Sequence, residues 1–371
     1  MSTYHIAVAS YSHNIYALQF STSPPELKVL STLEVGYHPS WITPHPSDRS
    51  TIFAAIEDES GRVVEIKHDE SGKGAIVGTC TTSGNYPCTT LVVGQELLVG
   101  NYMSGQVVII PLAPSSPYIK STSPSQSIQL HGSGPNTLRQ NNSHTHDIYK
   151  VPDRDEVLVA DLGADKTWRL VKGQSGWEIA GSIDYRPGSG PRHLLVHNDF
   201  LYTVLELHNE LSQHTLPPLD SSEKPTHIMS VATHIPSSST NLLRMLAAEI
   251  LLSTSIPPLL YVSNRNDPTP GGDTIAIFSL SSAGPKRIAE VKTGLHHLRG
   301  MILFGPDDKY LIAGGTFGGE GGVVVKVFER VDGGNGLQEV AGLSGLGEME
   351  EGPEELLKGP TGFVVLSDRS G

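Results

Sequence analysis

A unit of short apolar strands separated by polar turns recurs along the chain. Each copy starts at a proline or another turn residue and places three strands in a row, as in the run from Pro39 to Ile66. Equivalent first-strand positions are Ser40, Cys88, His146, Arg192, Glu249, Arg299 and Thr361. Their mean spacing of about 53 residues is typical of repeats that form propeller blades. The repeat therefore predicts an all-β, seven-bladed β-propeller.

The seventh copy is split between the two ends of the chain. A first strand that begins at Pro360 has nothing after it, whereas the N-terminus supplies strands at 5–10 and 14–20 that lack a first strand. Placing both ends in one blade closes the ring and leaves no exposed sheet edge. A β-sandwich is the alternative, but it does not account for the orphan strands at each end. We therefore expect a single propeller domain over 1–371.

Several segments interrupt the repeat and are rich in Ser, Pro, Gly or acidic residues. They are predicted to be loops on the rim, near 114–127, 216–239 and 333–355. The stretch Asn241–Leu252 has a helical composition, but the repeat assigns at least Glu249–Leu252 to a first strand. The chain has no Trp-Asp dipeptide, which distinguishes it from the WD40 type of propeller.

The charge balance and the cysteine content limit the classes of function. The 371 residues include 26 Lys and Arg against 39 Asp and Glu, for a formal net charge of −13. An acidic chain without a run of Lys or Arg is poorly suited to nucleic acid. No apolar stretch approaches the roughly 18 residues needed to cross a bilayer. Because Cys80 and Cys88 are the only cysteines, we expect a reduced, cytoplasmic protein. The lack of a long apolar stretch predicts no membrane partner. The sequence leaves the oligomeric state open.

The repeat register brings charged residues from distant segments around one axis. The first strands of a propeller line its channel, and the loops that leave them form the mouth. These positions include His146, Arg192, Glu249 and Arg299, and the ends of the second strands carry Glu57, Tyr102, Glu206 and Arg265. Buried charges are costly unless they pair with one another or bind a ligand. A functional site is favoured by the four that lie on adjacent repeats: His146, Arg192, Glu206 and Arg265.

Alternating histidines at His144 and His146 raise the question of a metal site, to which His131 or His193 could also contribute a ligand. A protein metal site needs a third ligand at a defined spacing, and none is evident, so neither a metal nor a cofactor is predicted. The register begins the strand at His146 and leaves His144 in the preceding loop. His146 is therefore the better channel candidate. The residues assigned to substrate binding are Arg299, His144, His193, Glu249, Glu57 and Tyr102.

Seven segments, in order, resemble one family of propeller enzymes. They are His131-Gly-Ser-Gly-Pro-Asn136, Arg139-Gln140, His144-Thr-His146, Val159-Ala-Asp-Leu-Gly-Ala-Asp165, Gly190-Pro-Arg-His193, Asn209-Glu-Leu211 and Tyr261-Val-Ser-Asn-Arg265. Together they are similar to the seven-bladed propeller lactonases, which include bacterial-type 6-phosphogluconolactonases and fungal 3-carboxy-cis,cis-muconate cyclases. The resemblance implies functional roles for the same four residues that the register selects.

The chain also departs from the family pattern. The opening segment is Ala9-Ser-Tyr-Ser12, where the family often has a sequence like Gly-Thr-Tyr-Thr. The segment that should carry the functional glutamate contains two acids, Glu206 and Glu210, and the sequence does not decide between them. These departures leave the substrate more open than the fold.

The residues support two enzymatic hypotheses and one non-enzymatic alternative. In hydrolysis of an anionic sugar lactone, Arg192 and Arg265 hold a phosphate or carboxylate group, and one of them or Arg299 stabilises the oxyanion. His146, or Glu206 if burial raises its pKa, acts as general base on water. A cycloisomerase that closes a lactone from 3-carboxy-cis,cis-muconate, a polycarboxylate, would use the same groups. A propeller that serves only as an interaction scaffold is disfavoured by the charges at channel positions.

Overall fold

Seven sheets surround one axis. The computed structural model describes residues 2–234, 245–281, 283–351 and 356–370, and these form seven four-stranded antiparallel sheets and one two-stranded hairpin, with strands numbered β1 to β30 in chain order. The inner strands are β4 (Pro39–His45), β8 (Pro87–Val93), β12 (Thr145–Lys150), β16 (Pro191–His197), β20 (Leu246–Leu252), β24 (Leu298–Phe304) and β30 (Pro360–Ser370). Each inner strand contacts the next, and β30 contacts β4, which closes the ring. The prediction of an all-β, seven-bladed propeller is confirmed.

The remaining strands extend each blade outward. The second strands are β1 (Ser2–Ser10), β5 (Asp48–Ile56), β9 (Glu96–Asn101), β13 (Glu156–Asp161), β17 (Phe200–Leu205), β21 (Leu259–Arg265) and β25 (Tyr310–Gly315). The third strands are β2 (Asn14–Thr22), β6 (Arg62–His68), β10 (Gln106–Pro111), β14 (Lys166–Gly173), β18 (Glu210–Thr215), β22 (Thr274–Ser281) and β26 (Val323–Val331). The outer strands are β3 (Pro25–Glu34), β7 (Gly74–Thr81), β11 (Gln126–Gln129), β15 (Gly176–Asp184), β19 (His227–Ala232), β23 (Gly284–Lys292) and β27 (Gly336–Ser344).

A hairpin and three short turns complete the described secondary structure. The hairpin consists of β28 (Glu348–Glu350) and β29 (Leu356–Lys358), and the 3-10 turns lie at Pro306–Asp308, Glu320–Gly322 and Asp332–Gly334. Within the described ranges, no helix has the length and apolar character needed to span a membrane.

Both ends of the chain share one blade. Strand β30 pairs with β1, so that Phe363 lies opposite Val8 and Val364 lies opposite Ala7, and β2 and β3 complete the sheet. Aromatic and aliphatic side chains of this blade, including Phe20, pack against β25 and β26 of the preceding blade. The predicted closure of the ring by the two termini is confirmed, and it buries the edges that an open array would expose.

Each blade has a fourth strand that the three-strand repeat did not predict. Strands β19 and β27 lie inside two segments that were expected to be rim loops, 216–239 and 333–355, and β11 begins within the last residues of 114–127. The outer strands face solvent on one side, so buried and exposed positions are mixed along them, as in β15. They lack the apolar run that marks the buried strands.

Strand β20 replaces the helix suggested by the composition of 241–252; residues 241–244 lie outside the described residues.

A β-bulge interrupts every inner strand close to its first residue. The register shifts fall on or beside the predicted first-strand positions, Ser40, Cys88, His146, Arg192, Glu249, Arg299 and Thr361. A bulged residue leaves the hydrogen-bonded ladder, and its side chain is aimed differently from that of a regular strand residue. The repeated bulge explains how residues at the start of buried strands reach the mouth of the channel.

Gly300 follows Arg299 at a tight approach of β24 to β30. A Cβ atom at Gly300 would lie 2.0 Å from the carbonyl oxygen of Thr361. Because backbone would have to move, we expect Gly300→Ala to lower the free energy of unfolding by about 1–3 kcal/mol. The matched control is Gly181→Ala, where the nearest atoms would lie 3.8 Å away and the change should stay within about 0.5 kcal/mol. Urea unfolding of both variants measures the difference; equal stabilities would contradict the tight approach.

Candidate active site

The mouth of the channel contains a charged cavity of about 320 Å³. Its lining residues are Glu57, Tyr102, Arg139, His146, Arg192, Glu206, Leu246, Arg265, His297 and Arg299. The inner strands begin at this face and the antiparallel second strands end at it, as the pairing of Pro191 with Leu205 and of Leu246 with Arg265 shows. Residues at these two kinds of position therefore meet although they lie far apart in the sequence.

Glu206 is the buried centre of this cavity. Its Oε2 accepts a hydrogen bond from Arg192 Nη1 at 2.6 Å and lies 2.8 Å from Arg265 Nη2. Its Oε1 accepts a hydrogen bond from Arg139 Nη2 at 2.5 Å. Burial alone would raise the pKa of Glu206, but the three guanidinium groups outweigh it and hold the pKa well below the ordinary value. Glu206 is thus a carboxylate at neutral pH. The sequence analysis made Glu206 a general base only if burial raised its pKa, and the pKa is lowered instead.

The cavity carries more positive than negative charge. Its ten lining residues include four arginines but two carboxylates, Glu57 and Glu206. The fourth arginine, Arg299, has its Nη2 3.7 Å from Glu57 Oε2, and its guanidinium lies over the ring of Tyr11 at 4.9 Å. The excess of two positive charges suits a ligand with negative charge, despite the net charge of the whole chain.

Two of these arginines have buried donors that no protein atom satisfies. The Nε groups of Arg192 and Arg265 lack a hydrogen-bond partner, although both side chains are almost fully buried. Burial disfavours the charged form of Arg265 and lowers its pKa. An unpaired buried donor costs free energy unless a ligand supplies an acceptor. The arrangement is therefore suited to binding a phosphate or carboxylate group.

His146 lies at the bulge of β12 and is buried. Arg192 Nη1 donates a hydrogen bond to His146 Nε2, so the proton of the neutral ring is on Nδ1, which is buried without a partner. Burial, followed by the charge of Arg192, lowers the pKa of His146 well below its ordinary value. His146 is therefore neutral at physiological pH, and its basic nitrogen is held by the same arginine that faces the cavity.

The cavity contains most of the residues predicted for the site. Those present are His146, Arg192, Glu206, Arg265, Arg299, Glu57 and Tyr102. Glu206 rather than Glu210 belongs to it, because Glu210 pairs with Arg186 toward the surface, with 3.2 Å between their charged atoms. Three predicted residues, His144, His193 and Glu249, do not line it.

His193 and Glu249 lie deeper, in a second cavity of about 530 Å³ along the channel. The bulges of β16 and β20 each contain two residues, and His193 and Glu249 are the second of each pair, after Arg192 and Ala248. The repeat had aligned Glu249 with Arg192, which was wrong by one residue, and such a shift changes the side of the strand. His193 Nδ1 and Glu249 Oε1 are 2.6 Å apart. The two residues form a pair between neighbouring blades in place of the predicted contact at the mouth.

His144 lies beside the cavity rather than in it. Its Nδ1 is 3.0 Å from the carbonyl oxygen of Tyr102, its Nε2 is 3.1 Å from Asn141 Oδ1, and its ring stacks on that of Tyr102 at 4.5 Å. Both ring nitrogens thus have protein partners, and His144 supports Tyr102. Among the described residues, no group of three or more His, Cys, Asp or Glu side chains could hold a metal ion.

Sequence reasoning missed Arg139, Leu246 and His297, which line the cavity, and Tyr11, whose ring lies against the guanidinium of Arg299. Arg139 comes from the loop before β12, which lies outside the repeat, although its segment belongs to the family resemblance. His297 directly precedes β24, and its Nε2 lies 3.5 Å from Arg265 Nη1. Tyr11 follows Ser10, which pairs with Pro360 as Leu205 pairs with Pro191. Tyr11 lies one residue beyond β1, as Glu206 lies one residue beyond β17, and this comparison would have identified Tyr11 as the equivalent of Glu206.

The blades and the arginine-rich mouth define the class to which the protein belongs. Residues 3–340 match the family model described as lactonase, 7-bladed beta-propeller. The chain is a member of the seven-bladed β-propeller lactonase family, which confirms the resemblance seen in the sequence. It is similar to the 6-phosphogluconolactonase of Bacillus subtilis, with 28% identity over 313 residues, 81% of this chain and 84% of that protein.

Solved structures show the same fold. A periplasmic gluconolactonase of Pseudomonas aeruginosa matches with a TM-score of 0.78 and 18% identity, covering 98% of this chain and 99% of that chain. A protein from Lactobacillus plantarum matches with a TM-score of 0.80 and 20% identity, covering 98% and 100%.

Proposed function

We propose that the protein hydrolyses a lactone that carries a phosphate or carboxylate group, with a phosphorylated sugar lactone as the first candidate. The observation that carries this proposal is the pair of buried arginines, Arg192 and Arg265, which line the cavity, share Glu206 and have buried Nε donors without a protein partner. Guanidinium groups match the planar, bidentate geometry of phosphate and carboxylate. The name of the Bacillus subtilis relative, 6-phosphogluconolactonase, supports a phosphorylated sugar acid lactone.

In the proposed reaction, Arg192 and Arg265 bind the anionic group of the substrate. When Arg192 turns from His146 to the substrate, Nε2 of His146 becomes free to accept a proton from water. The water oxygen forms a bond to the lactone carbonyl carbon, and Arg299 stabilises the oxyanion of the tetrahedral intermediate. The intermediate collapses by breaking the ring C–O bond, and the leaving oxygen takes the proton from His146. Glu206 keeps the arginines in place without taking part in proton transfer.

The rate of this reaction should show no acid limb at the ordinary histidine pKa of 6.5. Burial and the charge of Arg192 keep the pKa of His146 lower, so the base stays neutral as the pH falls through that value. The measurement is the pH dependence of kcat/KM, corrected at each pH for spontaneous hydrolysis of the lactone, because it reports the pKa values of the free enzyme. A decline centred at 6.5 would contradict a buried His146 as the base.

The direct test is to incubate the full chain with 6-phosphogluconolactone and, separately, with 3-carboxy-cis,cis-muconate. Loss of the lactone faster than in a control without enzyme supports the proposal. Formation of a lactone from the muconate, with no effect on the sugar lactone, would replace hydrolysis by the cycloisomerase reaction. If the folded protein turns over neither compound, the proposal is wrong, and the alternative of a propeller that serves only as an interaction scaffold is favoured.

A further inference from the structure

Exposed apolar side chains border one side of the mouth. They come from loops of four consecutive blades, from that of β24 through the closing blade to that of β8, and we call them the apolar arc: Phe317, Tyr37, Tyr86, Met103 and Leu138. Their exposed fractions run from 36% for Phe317 to 91% for Leu138. Described loops at the opposite side carry polar residues instead, such as the exposed Arg186 beside His208. The large exposed apolar side chains of the described mouth loops therefore lie on one side of the cavity.

The aromatic members of the arc are attached to the walls of the charged cavity. Phe317 stacks on His297, with 4.1 Å between ring centroids and an angle of 25° between the rings. Tyr37 stacks on His38 at 3.6 Å and 21°, and the carbonyl oxygen of His38 accepts a hydrogen bond from the amide of Glu57. His297 and Glu57 both line the cavity, so these exposed rings continue its wall outward.

The other members of the arc are connected to cavity residues through the backbone. The carbonyl oxygen of Tyr86 accepts a hydrogen bond from the amide of Tyr102, Met103 follows Tyr102, and Leu138 precedes Arg139 in the chain. Both Tyr102 and Arg139 line the cavity. The arc is thus one border of the site and not a separate patch of surface.

We propose that the apolar arc binds an aromatic or aliphatic group of the ligand whose anionic group is held by Arg192 and Arg265. This inference rests on the proposed function and changes its first candidate from a phosphorylated sugar lactone to an anionic lactone that carries an apolar substituent. The cavity volume of about 320 Å³ is near the lower limit of small-molecule sites. A ligand larger than a small sugar acid therefore has to extend over the rim, where the arc offers apolar faces.

A macromolecular partner fits these observations less well. Large exposed apolar side chains that cluster usually mark a binding surface, but this cluster lies beside a concave cavity lined by four arginines and two glutamates. A protein that covered the arc would close the mouth over this excess of positive charge and would have to insert an acidic side chain into about 320 Å³ to neutralise it. A small ligand with one anionic and one apolar end satisfies both features.

Two phosphate monoesters separate the anionic and the apolar contributions. Methyl phosphate and phenyl phosphate carry the same charged group, and only the second adds an aromatic ring. Isothermal titration calorimetry with the full chain should show phenyl phosphate binding about tenfold more tightly, the size expected for aromatic contact together with apolar burial. Equal affinities would contradict binding of an apolar group by the arc and would leave the proposed anion site in place. Failure of both compounds to bind would instead contradict the anion site and, with it, the proposed function.

Variants locate the source of the preference. In Phe317→Ala and Tyr37→Ala the ratio of the two affinities should fall to within about threefold, because each removes an aromatic face. Ile256→Ala is the matched control, since Ile256 is 98% exposed in the loop between β20 and β21, at the opposite end of the channel. It should keep the tenfold ratio. A ratio unchanged in both arc variants, or lost in Ile256→Ala, would assign the preference to another part of the protein.

Discussion

Arg192→Ala is expected to lower kcat/KM by about 10²- to 10³-fold, which is within the loss typical when one partner of a buried, hydrogen-bonded charge pair is removed. Arg192 contacts both Glu206 and His146, and in the proposed reaction it also binds the substrate. Its removal therefore weakens substrate binding and disturbs the environment of the base together. Steady-state kinetics with 6-phosphogluconolactone, with the spontaneous rate subtracted, measures the effect.

The fold should survive this substitution. Glu206 keeps Arg265 and Arg139 as partners, so the buried carboxylate does not become unpaired. Arg192→Lys should recover only part of the loss, because the ammonium group keeps the charge but cannot reproduce the planar fork. Arg186→Ala is the matched control, since Arg186 is exposed and pairs with Glu210 near the surface. Comparable activity of folded Arg192→Ala and the control would show that the anion binds elsewhere.

Glu206→Gln is expected to lower the free energy of unfolding by about 3–5 kcal/mol, the cost of removing one partner from a buried ion pair. Glu206 is fully buried and is the shared carboxylate of Arg139, Arg192 and Arg265. Without it, buried guanidinium groups face one another with no counter-charge. Denaturant unfolding of the variant and the wild type measures the difference.

Phosphate provides a second measurement on the same variant. An anion that binds the native state stabilises it, and in Glu206→Gln the anion also replaces the missing carboxylate. We therefore expect phosphate to raise the melting temperature of Glu206→Gln more than that of the wild type. Glu210→Gln is the control and should change stability by no more than about 0.5 kcal/mol. A Glu206→Gln variant as stable as this control would show that the carboxylate is not needed to hold the arginines.

The acid dependence of stability should change in the same variant. The pKa of Glu206 is held well below its ordinary value of 4.5 in the folded protein. Its stabilising contribution is therefore present above the pKa of the unfolded chain and is lost as the pH falls through the lower folded-state pKa. Glu206→Gln lacks this contribution, so its stability should decline less steeply on acidification below 4.5. Parallel acid profiles of the two proteins would contradict the depressed pKa.

The ring of blades could be predicted because buried strands carry an apolar run that recurs at a regular interval. The run at Ile52–Ile56 in β5 is buried on both faces and stands out in the sequence. The outer strands could not be predicted in this way, since solvent on one side allows polar residues in them. Strands β19 and β27 were therefore taken for loops.

The sequence could predict those site residues whose position depends only on where paired strands begin and end. Antiparallel strands place the start of one beside the end of the next, which is why Arg192 and Glu206 could be assigned to one place. Bulge size was not predictable, because it depends on which residues pair across the sheet. Glu249 was misplaced for this reason, and the same bulge geometry moved His193 below the mouth.

The amino-acid sequence by itself determined that a seven-fold repeat would close on its own ends and that arginine, histidine and glutamate would gather where the strands begin and end. Only the tertiary structure decided how these charges pair. Arg139 and Glu206 are 67 residues apart in the chain and meet at 2.5 Å, and Arg139 comes from a loop that has no counterpart in the repeat. Strand periodicity is a local property that sequence spacing records, whereas an ion pair between blades depends on distances that exist only after the ring has closed.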